Sequence, residues 1–528
     1  MADIVLSTLN AKYIHSAFGL RYLLANLGPL RPRAEILEFD LHHRPVDLAE
    51  ALLARQPRVL GLGVYLWNAA PTTELVALLK RLRPDLPIVL GGPEVSFETE
   101  RQPIAQSADY IIAGEADLAF GPLCEALLAG QRPEPRLLTP PPPDLAELAL
   151  PYDLYTDEDI RHRLIYVEAS RGCPCHCEFC LSALDVPIRQ VPLPRFLEAL
   201  QRLLDRGVRH FKFVDRAFNL NPRACAAILE FLLARYQPGM LFHLEWVPDH
   251  LPETLRALLQ RFPPGALQLE AGVQTFDPEV AARIDRRQNY PRLEANLRFL
   301  RAATGVHLHA DLIIGLPGES FDRFAAGFDR LIALGPQEIQ VGLLKRLRGA
   351  PISRHDAAWD MVYSPHPPYE ILQNRLIPFP LMQRLRRFAR YWDLVGNSGN
   401  FVETTPLLWA PPAPTSAAPA PAQAPAGPAA PHTSPFHAFL AFSDWLFARV
   451  RRTDSIALAR LRELVFEYLT TACARDPRSV AACLWRDGQR GGRREHPGFL
   501  APYLQDTSPA APNPPPGPLP RRQARHRG

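Results

Sequence analysis

The stretch Ser170-Arg171-Gly172-Cys173-Pro174-Cys175-His176-Cys177-Glu178-Phe179-Cys180 holds four of the chain's eight cysteines within eight residues. Thiols this close cannot easily pair across a fold, and eight cysteines in 528 residues are too few for a disulfide scaffold. The cluster reads as a metal site in a reducing compartment. Cys173, Cys177 and Cys180 give the spacing C-x-x-x-C-x-x-C. Three thiolates on one loop can hold three irons of a 4Fe-4S cube and leave the fourth iron open to an outside ligand. Structural zinc, completed by Cys175 or His176, is the competing assignment. Cys175-Cys177-Cys180 is a competing ligand set. Cys124, Cys225, Cys473 and Cys483 are scattered and read as packing residues.

Around this loop, apolar runs alternate with helical patterns. Six strands are expected at Leu164 to Glu168, His210 to Val214, Leu241 to Trp246, Leu267 to Val273, His307 to Ile314 and Glu338 to Leu343. Six strand-helix units suit a partial (β/α)6 TIM-type barrel over residues 155–345, and sites on barrels lie at strand carboxyl ends. The cysteine loop follows the first of these strands. Asp215, Arg216, Glu245, Gln274 and Asp311 also fall on or just after strands.

Upstream, five further runs (Asp3 to Ser7, Ala34 to Phe39, Val59 to Val64, Pro87 to Gly92, Asp109 to Ala113) predict a Rossmann-like five-stranded parallel sheet over residues 1–135. Ligands on such sheets bind at the turns after the strands: near Asn10, Tyr65 to Asn68, Gly91 to Glu94, and Gly114-Glu115. Downstream, 346–410 and 436–500 read as a mostly helical C-terminal region, giving an α/β chain overall. Residues 411–435 are an Ala/Pro-rich insert that cannot bury a core, and 505–528 a Pro-rich disordered tail. Proline, 57 of 528 residues, is concentrated in such stretches.

Charge bounds the partners. With 59 basic and 55 acidic residues the net charge is only +4, which supplies no field for concentrating nucleic acid. Only Lys12, Lys80, Lys212 and Lys345 are lysines, and the arginine excess is read as base composition rather than as a site. No apolar run reaches the ~18 residues needed to span a bilayer, and the opening Met-Ala-Asp-Ile-Val-Leu lacks a positive n-region. The expectation is a cytoplasmic protein without membrane contact.

The cysteine spacing, with Phe179 just before the last cysteine, resembles the radical S-adenosylmethionine (SAM) superfamily. Glu270-Ala271-Gly272-Val273-Gln274-Thr275-Phe276-Asp277 and Asp311-Leu312-Ile313-Ile314-Gly315-Leu316-Pro317-Gly318-Glu319 resemble the fourth and fifth strands of its oxygen-independent coproporphyrinogen dehydrogenases and methylthiotransferases. The resemblance implies a 4Fe-4S cluster on Cys173, Cys177 and Cys180. It also implies SAM contacts from Phe179, Gln274, Arg286 and Asp311. Asp215, Arg216 and Glu245 match more loosely, since Val214-Asp215-Arg216 replaces the usual Gly-Gly-Glu, and an Arg216–Glu245 or Asp215 ion pair is the structural alternative. Cys175 stands where relatives commonly carry an aromatic.

Gly91-Gly92-Pro93-Glu94 is similar to the fourth-strand turn of cobalamin-binding domains, where glycine lets backbone approach a large ligand. A bulky residue at Gly92 is therefore expected to weaken corrin binding. Asp40-Leu41-His42-His43-Arg44-Pro45 begins like a cobalt-binding D-x-H-x-x-G segment but has Pro45 in place of glycine, so His42 and His43 read as surface residues. The implied enzyme uses a one-electron donor such as flavodoxin or ferredoxin to cleave SAM to a 5'-deoxyadenosyl radical. That radical abstracts hydrogen from an unidentified small molecule, and methylcobalamin then supplies a methyl group. The alternatives are a radical oxidation or cyclisation resembling the Mg-protoporphyrin ester cyclases, and a non-catalytic cobalamin or redox sensor. An RNA methylthiotransferase is disfavoured, because the N-terminal unit has no cysteine trio.

Overall fold

A computed structural model describes residues 2–184, 187–411, 434–492, 497–504 and 521–526. Most of the Ala/Pro-rich insert and of the C-terminal tail lies outside these residues. The N-terminal sheet is parallel throughout and contains β1 (Ile4–Asn10), β2 (Ala34–Asp40), β3 (Val59–Gly63), β4 (Ile88–Gly91), β5 (Tyr110–Ile112) and β6 (Leu137–Leu138), in the order β2-β1-β3-β4-β5-β6. It has one strand more than the five expected. Leu137–Leu138 is too short to show a hydrophobic period, and it is defined by its pairing with Ile111 and Ile112 alone.

Alternation along β1 explains why helices cover both faces. Val5 and Leu9 join the core formed with Leu48, Leu52, Leu75 and Leu79 of helices Pro45–Leu53 and Ala69–Leu82. Ile4 and Leu6 join the opposite core with Leu20, Leu24, Phe120 and Leu127 of helices Phe18–Ala25 and Phe120–Leu128. Strand order reverses at β1, so a crevice opens beyond the carboxyl ends of β1 and β3. Asn68 seals its floor, its amide donating to Thr8 Oγ1 (3.0 Å), Leu9 O (3.1 Å) and Gly63 O (3.1 Å).

The second sheet matches the expected six strands: β7 (Ile165–Val167), β8 (His210–Phe213), β9 (Leu241–Trp246), β10 (Leu267–Gln274), β11 (His307–Ile314) and β12 (Glu338–Leu343), parallel and in sequential order. The sheet is a partial barrel with β7 and β12 at its edges. Its core continues into the C-terminal helices. Phe328 on helix Phe321–Leu334 meets Phe388 and Trp392 of helix Phe379–Val395 and Phe436 of helix Pro435–Val450, edge to face at 4.9–5.8 Å. One part of the tail differs from the expected disorder. Arg521–His526 is helical and lies at the amino ends of the barrel strands, where Arg522 pairs with Glu338 (2.8 Å) and Asp393 (2.9 Å). Arg522 finds carboxylates that a reading of composition could not see, and Arg525 donates to Ser398 O (3.2 Å).

Buried carboxylates in the barrel set a pH dependence. Glu319, 2% exposed, accepts from Thr275 Oγ1 at 2.5 Å, and burial pushes its carboxyl up to about 8. A folded-state value above the ordinary 4.5 means that the folded chain holds this proton more tightly than the unfolded chain. Stability from this group is therefore complete below about pH 4.5 and is lost as pH rises through about 8, by at most roughly 5 kcal/mol. Glu319→Gln, which cannot ionise, should flatten the fall in urea midpoint between pH 6 and pH 9. An unchanged slope would show that Glu319 is not protonated in the native state.

Candidate functional site

The cysteine loop leaves β7 through Ser170 and Arg171, which form a short antiparallel ribbon with Arg189 and Gln190. Gly172 turns the chain at φ +95°, in the left-handed region that glycine enters without strain. The loop is then fixed from below. Glu178 is 3% exposed and its carboxylate meets Arg354 and His355 Nε2 (2.6 Å for the latter). Its backbone N donates to Ile284 O (3.1 Å), and its carbonyl accepts from Ile352 N (3.0 Å). With Glu178 held beneath, Cys173, Cys175, Cys177 and Cys180 all line one cavity of about 380 Å³. Arg286 Nη1 donates to Cys177 Sγ at 3.2 Å. The Cys173 thiol is pushed down to about 6, chiefly by a hydrogen bond from Cys175, whose own thiol is pushed up.

Phe179, Arg216, Glu245, Gln274, Arg286 and Asp311 line the same cavity, joined by Trp246, Glu270 and Gly272, which the sequence did not single out as site residues. A bulge between Gly272 and Gln274 interrupts the pairing of β10 with β11 and leaves Gln274 at φ +70°. At Gly272 a Cβ would lie 2.7 Å from Gln274 Nε2 and 3.4 Å from Arg286 Nη2, so the missing side chain makes room for both. Arg286 also donates to the Gly272 carbonyl. Asp311 Oδ1 and His309 Nε2 face each other at 3.2 Å, while Arg286 Nε and Gln288 Oε1 are buried here without a hydrogen bond among the described residues. Such groups fit a polar ligand that satisfies them. Deeper in the barrel, ligand atoms of Glu270, His309 and Asp311 lie within 4.8 Å of one another.

Arg216 pairs with Glu245 at 3.0 Å, as the structural alternative allowed, and the pair still faces the cavity. Asp215 does not. It is 1% exposed, and its carboxylate accepts from Ala169 N (3.0 Å) and Ser170 Oγ (2.6 Å), so it ties β8 to the approach of the cysteine loop. Burial pushes this carboxyl up to about 7.

A second cavity of about 380 Å³ lies between the N-terminal sheet and the barrel. Gly19, Gly61, Gly63, Gly91, Gly92, Gly114 and Gly172 line it, together with Tyr65, Phe120 and Arg171, so much of its wall is bare backbone. Arg216 and Ser182 line both cavities, which therefore share a wall. Arg171 fixes the two units beside this wall. Its guanidinium meets Glu115 (2.6 Å) and Asp117 (2.9 Å) of the N-terminal unit and Glu168 (2.8 Å) of the barrel, and sits 4.6 Å above the Tyr22 ring.

The turn after β4 differs in detail from its expected role. Gly91 and Gly92 line the cavity, whereas Pro93 and Glu94 do not. Glu94, 5% exposed, pairs with Arg348 at 2.9 Å and accepts from the Tyr369 hydroxyl at 2.6 Å, anchoring the N-terminal unit to the C-terminal region. At Gly92, with φ +105°, a Cβ would stand 2.5 Å from Val64 O, so any side chain breaks the turn itself and tests more than ligand access. Gly91 is the better probe, because a Cβ there meets only Ile112 O at 3.8 Å. His42 and His43 sit on an exposed turn around Asp40, away from the cavity.

Family comparisons agree with this layout. A B12 binding domain model matches residues 4–123, a Radical SAM superfamily model residues 167–331, and a model for a protein of unknown function (DUF4080) residues 357–411. The 2-(S-pantetheinyl)-carbapenam-3-carboxylate methyltransferase of Streptantibioticus cattleyicolor is 25% identical over 335 residues, covering 56% of this chain and 48% of that protein. The cobalamin-dependent radical SAM methyltransferase TokK of Streptomyces tokunonensis is 24% identical over 345 residues, covering 58% and 49%. The chain thus spans about half the length of these two relatives. Among solved structures, the cobalamin-dependent SAM radical enzyme OxsB with aqua-cobalamin bound shares the fold at a TM-score of 0.59 and 14% identity, over 95% of this chain and 84% of that one. The radical SAM methyltransferase TsrM from Kitasatospora setae, with cobalamin and a [4Fe-4S] cluster bound, does so at 0.55 and 17%, over 68% and 78%. A cysteine loop at the mouth of a partial barrel, a glycine-lined parallel sheet before it, and a family match over each identify residues 167–331 as a radical SAM domain and residues 4–123 as a B12 binding domain.

Proposed function

We propose that this chain is a cobalamin-dependent radical SAM methyltransferase acting on a small molecule in the cytoplasm. The observation that carries the reading is the shared wall. The cavity lined by the cysteine loop and the glycine-lined cavity meet at Arg216 and Ser182, so two cofactors would sit side by side. When bound, a 4Fe-4S cluster passes an electron from a donor such as flavodoxin or ferredoxin to cleave SAM into a hydrogen-abstracting radical, and cobalamin carries the methyl group. Cys173, Cys177 and Cys180 would hold three irons. Arg286, beside Cys177 Sγ, places a positive charge against the thiolates.

Gln274, Arg286 and Asp311 would contact SAM, the unpaired Arg286 Nε suiting an acceptor on that ligand. The Arg216–Glu245 pair offers both charges to the same ligand. Arg216 also orients whatever lies across the wall. Gly91, Gly92 and the other glycines of the second cavity would let a corrin approach backbone closely. Glu178 and Asp215 hold the cysteine loop in position from behind. No helix among the described residues is long and apolar enough to cross a membrane.

Product analysis tests the reading. Reconstituted protein with SAM, reductant and substrate should yield S-adenosylhomocysteine beside 5'-deoxyadenosine, because methyl transfer consumes a second SAM. 5'-Deoxyadenosine alone would overturn methyl transfer in favour of another radical outcome. Gly91→Leu should leave the fold and cluster intact while abolishing retention of cobalamin on gel filtration. Full retention would place the corrin elsewhere.

A further inference from the structure

A third cavity, about 590 Å³, opens along the β12 edge of the barrel, between that strand and helix Phe379–Val395. Phe179 lines both this cavity and the cysteine-lined one, so the two meet at its ring. The barrel strands line it with Ile313, Val341 and Leu343 beside His309 and Gln340, and charged side chains complete the wall. Four cations line it, Lys345, Arg386, Arg390 and Arg522, against two carboxylates, Glu370 and Asp393. Two ion pairs consume the acids: Arg386 with Glu370 at 3.0 Å, and Arg522 with Asp393 at 2.9 Å. Lys345 and Arg390 are left with no anionic partner among the described residues. A cavity that meets the cysteine-lined one at Phe179 and carries two uncompensated cations in its lining is the layout of a site for a small molecule with an anionic group.

We propose that this cavity receives the methyl acceptor, and that the acceptor is a small molecule carrying a phosphate or carboxylate group bound by Lys345 and Arg390. The end of the molecule away from that group reaches past Phe179 toward the SAM cavity. The assignment of this molecule as acceptor rests on the methyltransferase reading; the anion site itself does not.

The chain's four lysines make a direct test. Pyridoxal 5'-phosphate joins an aldehyde to a phosphate, so it should condense with Lys345 Nζ in the reconstituted full-length protein. Cyanoborohydride then fixes the adduct for peptide mapping. Lys345 should label at least about fivefold faster than the exposed Lys12, and pyridoxal, which lacks the phosphate, should show no such preference. Arg390→Gln alters an exposed helix position, so the fold survives; it should slow labelling of Lys345 and leave Lys12 unchanged in the same digest. Millimolar pyrophosphate protecting Lys345 assigns a phosphate group, and citrate protecting it assigns a carboxylate. Equal rates at Lys345 and Lys12, equal rates with pyridoxal, or protection by neither anion overturns the proposal. The labelling requires no SAM cleavage, so its failure is distinct from failure of the methyltransferase reading.

Discussion

Cys177→Ala should abolish the electron paramagnetic resonance signal of the reduced cluster and with it all SAM cleavage, whereas Cys175→Ala should retain both. Cys177 is buried, accepts from Arg286 Nη1 at 3.2 Å, and lies on a loop clamped by Glu178 immediately after it. Removing it takes away a thiolate that no neighbour can replace without moving that clamp. All four cysteines face the same cavity, so geometry leaves Cys175 as a competitor. Cys177 belongs to both ligand sets, so Cys175→Ala is the variant that decides between them. An unchanged signal in Cys177→Ala would contradict a cluster on either set, and its loss in Cys175→Ala would reverse the assignment.

Arg171→Met should loosen the joint between the two cofactor units. The guanidinium is 14% exposed and meets Glu115, Asp117 and Glu168, of which Asp117 and Glu168 are themselves 7% and 9% exposed. Taking one partner from a buried charge network leaves the others uncompensated, at a cost of about 3–5 kcal/mol. Arg189 also contacts Glu115 and offsets part of the loss there, while Asp117 and Glu168 keep no such substitute among the described residues. Because Glu115, Asp117, Glu168 and Arg171 all line the glycine-rich cavity, cobalamin retention should fall together with the denaturation midpoint. An unfolding free energy within about 0.5 kcal/mol of wild type would show the network to be a surface feature.

The elements that could be read in advance are those whose physics is local. All six barrel strands are apolar runs bounded by turn residues, and their observed ends lie within a residue or so of the expected ones. The cysteine spacing, and the Gln274 and Asp311 strand ends, were legible because each depends on a few consecutive positions. Glu94 and Asp215 turn away from the cavities for a reason that is not local. Their neighbours in sequence suggested a ligand, but Glu94 is drawn to Arg348, 254 positions away, and Asp215 to Ala169 and Ser170, about 45 positions away. Nothing in spacing or composition encodes such pairings. The Arg171 network, the Glu178 clamp and the docking of Arg521–His526 on the barrel were hidden in the same way, since each joins segments far apart in the chain. Gly272 had a weaker signal: a glycine between alternating buried residues of a strand marks a bulge or a close approach.

Resonance spectroscopy of the dithionite-reduced, anaerobically reconstituted protein tests whether the cysteine loop holds an iron cube with one corner free for SAM. Adding SAM should shift the g-values of the reduced cluster, because the sulfonium compound binds the open iron. A spectrum indifferent to SAM, or protein that holds tetrahedral zinc in place of iron, would contradict the account.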